Sequence, residues 1–145
     1  MGRVNFIETR NILSNESCGY ISPAVFNTNI FIYMESQNNN ICLNKKIAID
    51  REGYIKNCPS MKHSFGNISN TSLKEIIVQT EFNKYWHIAK YQIKVCKDCE
   101  FRFICHDCRA YLTDPDDLYS KPLKCGYDPY TNQWNNLNTK KYEEL

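Results

Sequence analysis

The chain is predicted to fold as an α+β, small, loop-rich domain. Three features of its 145 residues carry that expectation: a β-hairpin signature, two short helical stretches, and eight cysteines, four of them crowded into thirteen residues. A length in this range suits one domain. An apolar share of 42% and a charged share of 23% are ordinary for a folded soluble protein. The net charge of +2, from 18 basic and 16 acidic residues, gives no electrostatic reason to expect nucleic acid or a membrane surface as partner. No apolar run approaches the roughly 20 residues that a membrane helix needs.

Residues 1–41 read as a mixed, loop-rich lead-in, punctuated by Gly19, Pro23 and the polar tract Gln37-Asn38-Asn39-Asn40. It holds apolar pieces around Ile12-Leu13 and over Ile30-Phe31-Ile32-Tyr33-Met34; the second, β-branched and aromatic, is expected to be a buried strand. From Lys45 to Cys58 the pattern is a hairpin. Ile47 and Ile49 alternate with Lys46 and Ala48, and Asp50-Arg51-Glu52-Gly53 supplies the turn, with glycine at its awkward position. That fold-back brings Cys42 and Cys58 to one open end. After a polar connector, Ser72-x-x-Glu75 reads as a capping box for a helix from Ser72 to about Thr80. A second helix is expected from about Glu81 to Lys90, with Phe82, Tyr85, Trp86 and Ala89 on its apolar face. Cys96 to Cys108 should be loop and turn with short helical pieces. The domain proper is read as residues 42–131, and 132–145 as a polar tail with Trp134 anchoring part of it.

The dense run is Cys96-x2-Cys99-x5-Cys105-x2-Cys108; Cys18, Cys42, Cys58 and Cys125 stand apart from it. Met1–Ser14 has no apolar h-region, so no secretory signal is expected and the three Asn-x-Ser matches at Asn15, Asn67 and Asn70 carry no weight. A cytoplasmic setting keeps thiols reduced, and clustered reduced cysteines are more often metal ligands than bridges. A C-x2-C turn lets two thiolates converge on one metal while backbone N–H groups face the sulfurs. Eight thiolates are enough for two four-ligand sites. By residue type alone, two structural zinc ions are the commoner use of such a set.

The pattern Cys42-x10-Gly53-x4-Cys58, then the dense run, then Cys125, resembles the seven-cysteine signature of SPASM domains, the auxiliary domains of many radical S-adenosylmethionine (radical SAM) peptide-modifying enzymes. One spacing departs: the family usually has three residues between the last two cysteines of the run, and here only His106 and Asp107 stand there. The wording Cys42-Leu43-Asn44, Lys56-Asn57-Cys58-Pro59-Ser60-Met61, Cys99-Glu100-Phe101-Arg102-Phe103 and Lys121-Pro122-Leu123-Lys124-Cys125-Gly126-Tyr127 is similar to the peptide maturase of grasp-with-spasm systems.

The resemblance implies two [4Fe-4S] clusters, in preference to zinc. It implies Cys42, Cys58 and Cys108 as ligands of the first, and Cys96, Cys99, Cys105 and Cys125 as ligands of the second. Cys18, outside the signature, is expected to complete the first cluster, since four thiolates is the usual count. An iron left open to substrate is the other possibility. The implied role is electron transfer and precursor-peptide binding in ribosomal peptide natural-product biosynthesis. The implied partners are the precursor peptide, an ATP-grasp ligase and a separate radical SAM core. A radical SAM core needs C-x3-C-x2-C, and no two cysteines here are separated by three residues. The chain is therefore expected to be a fragment, split-gene product or decayed copy, inactive alone, with the lead-in as a remnant linker from such a core.

Other chemistry is not signalled. There is no G-x4-G-K-[ST], G-x-G-x-x-G or H-E-x-x-H. His63, His87 and His106 have no metal spacing, and His106 reads as an exposed loop residue beside the ligands. Phe101, Phe103, Tyr111, Tyr127 and Tyr130 read first as packing. Arg102 and Arg109 read as solvated surface, and Asp114-Pro115-Asp116-Asp117 as a turn.

Overall fold

Asp50 organises the first hairpin. Its carboxylate accepts the backbone N–H of Tyr54 at 2.9 Å and of Glu52 at 3.2 Å, and pairs with Lys56 Nζ at 2.8 Å. Gly53 sits at φ +84°, where a side chain is strained. The computed structural model describes residues 20–135, and in it strands β1 (Ala48–Ile49) and β2 (Ile55–Lys56) pair antiparallel with Ile49 opposite Ile55. The predicted hairpin is present, with very short strands. Residues 65–68 run along its other side: Ile55 N–H donates to Gly66 O at 2.9 Å and Phe65 N–H to Ile55 O at 2.8 Å. A Cβ on Gly53 would meet the Asn67 side-chain amide at 3.0 Å. Gly53→Ala is therefore expected to cost about 1–2 kcal/mol, read as a lower urea midpoint. An unchanged midpoint would mean that the turn relaxes around the new methyl.

The hairpin packs on two helical turns, α2 (Leu73–Ile76) and α3 (Thr80–Asn83). Ile55, Ile76 and Phe82 form a fully buried cluster against which Ile47, Phe65 and Trp86 pack. Phe82 meets Phe65 and Trp86 edge-on, with ring centroids 4.9 and 5.6 Å apart. The helices are shorter than the sequence pattern predicts. Ser72 is the N-cap of α2 without a side-chain cap bond, so the expected capping box does not form. The backbone turns extended at Gln79, and Asn83 Nδ2 donates to Ile77 O at 2.7 Å, which closes the corner between α2 and α3. α3 passes into a 3-10 turn over Lys84–His87 and stops there. Its continuation is blocked because the N–H of Asn40 takes the carbonyl of Trp86 at 2.8 Å. A separate 3-10 turn, Lys90–Gln92, follows.

A second buried cluster joins Ile88, Ile93 and Cys96, with Tyr85 and Leu118 packed against it. Beyond it, β3 (Tyr127–Asp128) and β4 (Gln133–Trp134) form another antiparallel pair that the sequence reading did not contain. Trp134 does act as an anchor: its ring lies 4.7 Å from Tyr127 and 6.2 Å from Phe101, and Phe26 joins the same aromatic group. The acidic run makes the expected turn, with Asp117 N–H donating to Asp114 O at 3.2 Å.

Ile30-Phe31-Ile32-Tyr33-Met34 is a correction. It forms helix α1 (Ile30–Ser36), and Phe31 is 81% exposed instead of buried in a sheet. Asn29 decides the outcome locally: its side chain accepts the N–H of Ile32 at 2.9 Å, satisfying a helix N-terminus. Among the described residues, the two-residue strands elsewhere leave no sheet for it to join. The Ile12-Leu13 piece lies outside the described residues. Among the described residues no helix is long and apolar enough to cross a membrane.

Candidate metal centre

Seven cysteines fall within the described residues, and no two of them are joined by a disulfide. Three of them, Cys42, Cys58 and Cys108, line one cavity of about 310 Å³ with an almost wholly apolar wall that includes Ile21, Val25 and Leu43. They come from the turn before the first hairpin, the loop after it and the end of the dense run, so three distant segments meet. The other four act on one another electrostatically. Cys96, Cys99 and Cys105 each lie in the field of Cys125, and Cys99 and Cys105 also in that of Cys96. The backbone presents this group through tight turns: Cys99 N–H donates to Cys96 O at 3.1 Å and Cys105 N–H to Phe101 O at 2.9 Å. Val95, at φ +67°, turns the chain sharply just before Cys96. Cys18 lies outside the described residues. Among those described, no three His, Cys, Asp or Glu side chains are drawn together tightly enough to hold a single ion.

Burial sets the thiol chemistry. It pushes Cys105 up to about 12, against the pull of Lys90, and raises Cys96 and Cys99 as well. Thiols held up in this way are protonated at neutral pH, so a metal binding there displaces protons. His106 is exposed, as expected, and also lines the cavity; burial, Lys46 and Lys90 lower its pKa.

Between the two thiol groups lies a buried polar network that the sequence reading missed. Its centre is Asp107, flanked in sequence by His106 and Cys108 and only 2% exposed. Its carboxylate pairs with Arg109 Nε at 2.6 Å and Lys90 Nζ at 3.0 Å, and accepts from Asn40 Nδ2 at 2.7 Å and from an Arg109 terminal nitrogen at 2.8 Å. Each spoke leads to a cysteine or its support. Asn40 Oδ1 accepts the N–H of Cys42 at 3.0 Å and of Leu43 at 2.9 Å. Lys90 Nζ reaches Cys96 Sγ at 3.7 Å. Arg109 also donates to the carbonyls of Leu118 and Ser120 at 2.8 and 2.9 Å, fixing the loop before Cys125.

Arg109 is thus a correction: it is a buried, ion-paired cation and not solvated surface. Arg102 is half-buried, donating to Cys99 O at 3.0 Å with its guanidinium over the Phe103 ring. Burial alone would lower the pKa of Lys90; the Asp107 carboxylate opposes it, and Cys105 and Cys96 add to that pull once they are thiolates. The only cue to this network in the sequence is a carboxylate placed between two cysteines.

Residues 41–100 match the family model SPASM, described as an iron-sulfur cluster-binding domain. The matched span contains Cys42, Cys58, Cys96 and Cys99, and ends before the contracted Cys105-x2-Cys108 spacing. No curated protein and no solved structure matches the chain.

Proposed function

We propose that the chain is an auxiliary iron–sulfur module that carries two [4Fe-4S] clusters and serves a peptide maturase by electron transfer and precursor-peptide binding. The observation that carries this is the cavity faced by Cys42, Cys58 and Cys108, fed by three segments of a chain whose residues 41–100 match an iron–sulfur family. The donor set fits: thiolates are the usual ligands of such clusters, and apolar side chains line much of the site. Cys42, Cys58 and Cys108 would hold the first cluster. Cys96, Cys99, Cys105 and Cys125 would hold the second.

Cys18 is the proposed fourth ligand of the first. It stands two residues before Tyr20, which lines the cavity, and two residues span at most about 7 Å of extended chain. When bound, the clusters supply one-electron chemistry. The protein's part is to hold the ligands, exclude water and present a surface to its partners, for which we propose the precursor peptide, an ATP-grasp ligase and a separate radical SAM core in a reducing cytoplasm.

The test is iron, acid-labile sulfide and zinc per chain after purification without oxygen. About eight irons and eight sulfides are expected, since each cluster holds four of each. About two zincs and no sulfide would instead make the chain a structural zinc module. Cys125→Ala is expected to lose one cluster, about four irons, and spare the other. Loss of both would sink the division of ligands.

A further inference from the structure

We propose that Lys90 sets the reduction potential of the cluster held through Cys96, with Asp107 as the positioning residue that keeps its ammonium against that sulfur. The inference rests on the iron–sulfur reading and extends it to a residue outside the ligand set. Lys90 is buried, with its Nζ 3.7 Å from Cys96 Sγ and 3.0 Å from Asp107 Oδ1, and Cys105 lies in its field as well.

Asp107 does not neutralise Lys90 alone, because Arg109 occupies both of its oxygens, at 2.6 and 2.8 Å. Two buried cations share one carboxylate, which leaves one net positive charge in the network. A buried charge needs a counterpart, and the groups facing Lys90 beyond Asp107 are the sulfurs of Cys96 and Cys105. With those sulfurs ligated as thiolates, the site is anionic, and reduction makes it more so. A fixed positive charge at this range, shielded from water, favours the reduced form and raises the potential. The geometry also suits a charge-assisted N–H···S bond, one of the levers that tune such potentials.

The experiment is a potentiometric titration, followed by electron paramagnetic resonance, of the full chain and of Lys90→Met and Lys90→Arg. Lys90→Met keeps the stem and removes the charge, while Arg109 and Asn40 still hold Asp107. One of the two reduction steps is expected to move to lower potential with the other unmoved, and Lys90→Arg to stay near wild type. Unmoved potentials in a fully loaded Lys90→Met protein would overturn the role of Lys90 and leave the cluster reading standing. Iron and sulfide missing from the wild type would overturn both. Should Lys90→Met fail to load, the wild-type protein decides: with ¹⁵N-labelled lysine, a nitrogen hyperfine coupling is expected at a reduced cluster, and its absence would overturn the proposal.

Discussion

Asp107→Ala is expected to destabilise the protein by about 3–5 kcal/mol, the range found when one partner of a buried ion pair is removed. The side chain is small, so lost packing contributes little. The cost comes from what remains: Lys90 and Arg109 are both buried and lose their shared carboxylate, and Asn40 loses an acceptor at 2.7 Å. Against the roughly 5–15 kcal/mol total stability of a typical domain, that is a large fraction. Urea denaturation of variant and wild type in the same metal state measures it, with an unchanged slope expected. Asp107→Asn keeps one acceptor and the shape, so it should fall between the two. A second effect follows through Asn40, whose side chain holds the N–H groups of Cys42 and Leu43. With Asn40 held less firmly, by the Ile88 carbonyl alone at its amide nitrogen, the Cys42 turn loosens, and on the proposed reading iron at the first site should fall as well. A variant within about 1 kcal/mol of wild type would mean that water or backbone replaces the carboxylate.

The parts of the fold legible in the sequence are those set by short-range chemistry. Asp50 and Gly53 specify their turn within four residues, and Asp114-Pro115 does the same, so both could be read directly. The gathering of Cys42 and Cys58 followed from the hairpin. Ile30–Met34 was misread because its composition favours a strand, while a single capping bond from Asn29 favours a helix, and too little sheet exists to tip the balance. The length of the second helix depended on Asn40 taking the Trp86 carbonyl across the fold, which no local pattern contains. The polar network was hidden for the same reason. Asn40 and Asp107 lie 67 residues apart, and Asn, Lys, Asp and Arg are by default surface residues.

Removing the metal is expected to leave little cooperative structure, and the argument combines two terms. Among the described residues the apolar cores are small, one built on Ile55, Ile76 and Phe82 and the other on Ile88, Ile93 and Cys96, and every strand is two residues long. On the proposed reading, ligation would link segments that these cores do not join, and such links are folding free energy. The second term is the network's charge. Burial pushes Cys105 up to about 12 and also raises Cys96, so thiols released by the metal take up protons and present no anion to Lys90. Lys90 and Arg109 then share the single Asp107 carboxylate, and the network holds one net buried positive charge, which is destabilising. Near-UV circular dichroism and a thermal melt before and after iron removal should therefore show loss of fixed tertiary packing, and an apo protein melting within a few degrees of the loaded one would refute this. The two terms separate in Lys90→Met. In the loaded protein that variant gives up a favourable charge contact, but in the apo protein it removes the defect, so apo Lys90→Met should be more stable than apo wild type. The opposite order would mean that Asp107 satisfies Lys90 without help from the sulfurs, and that the ammonium is architectural.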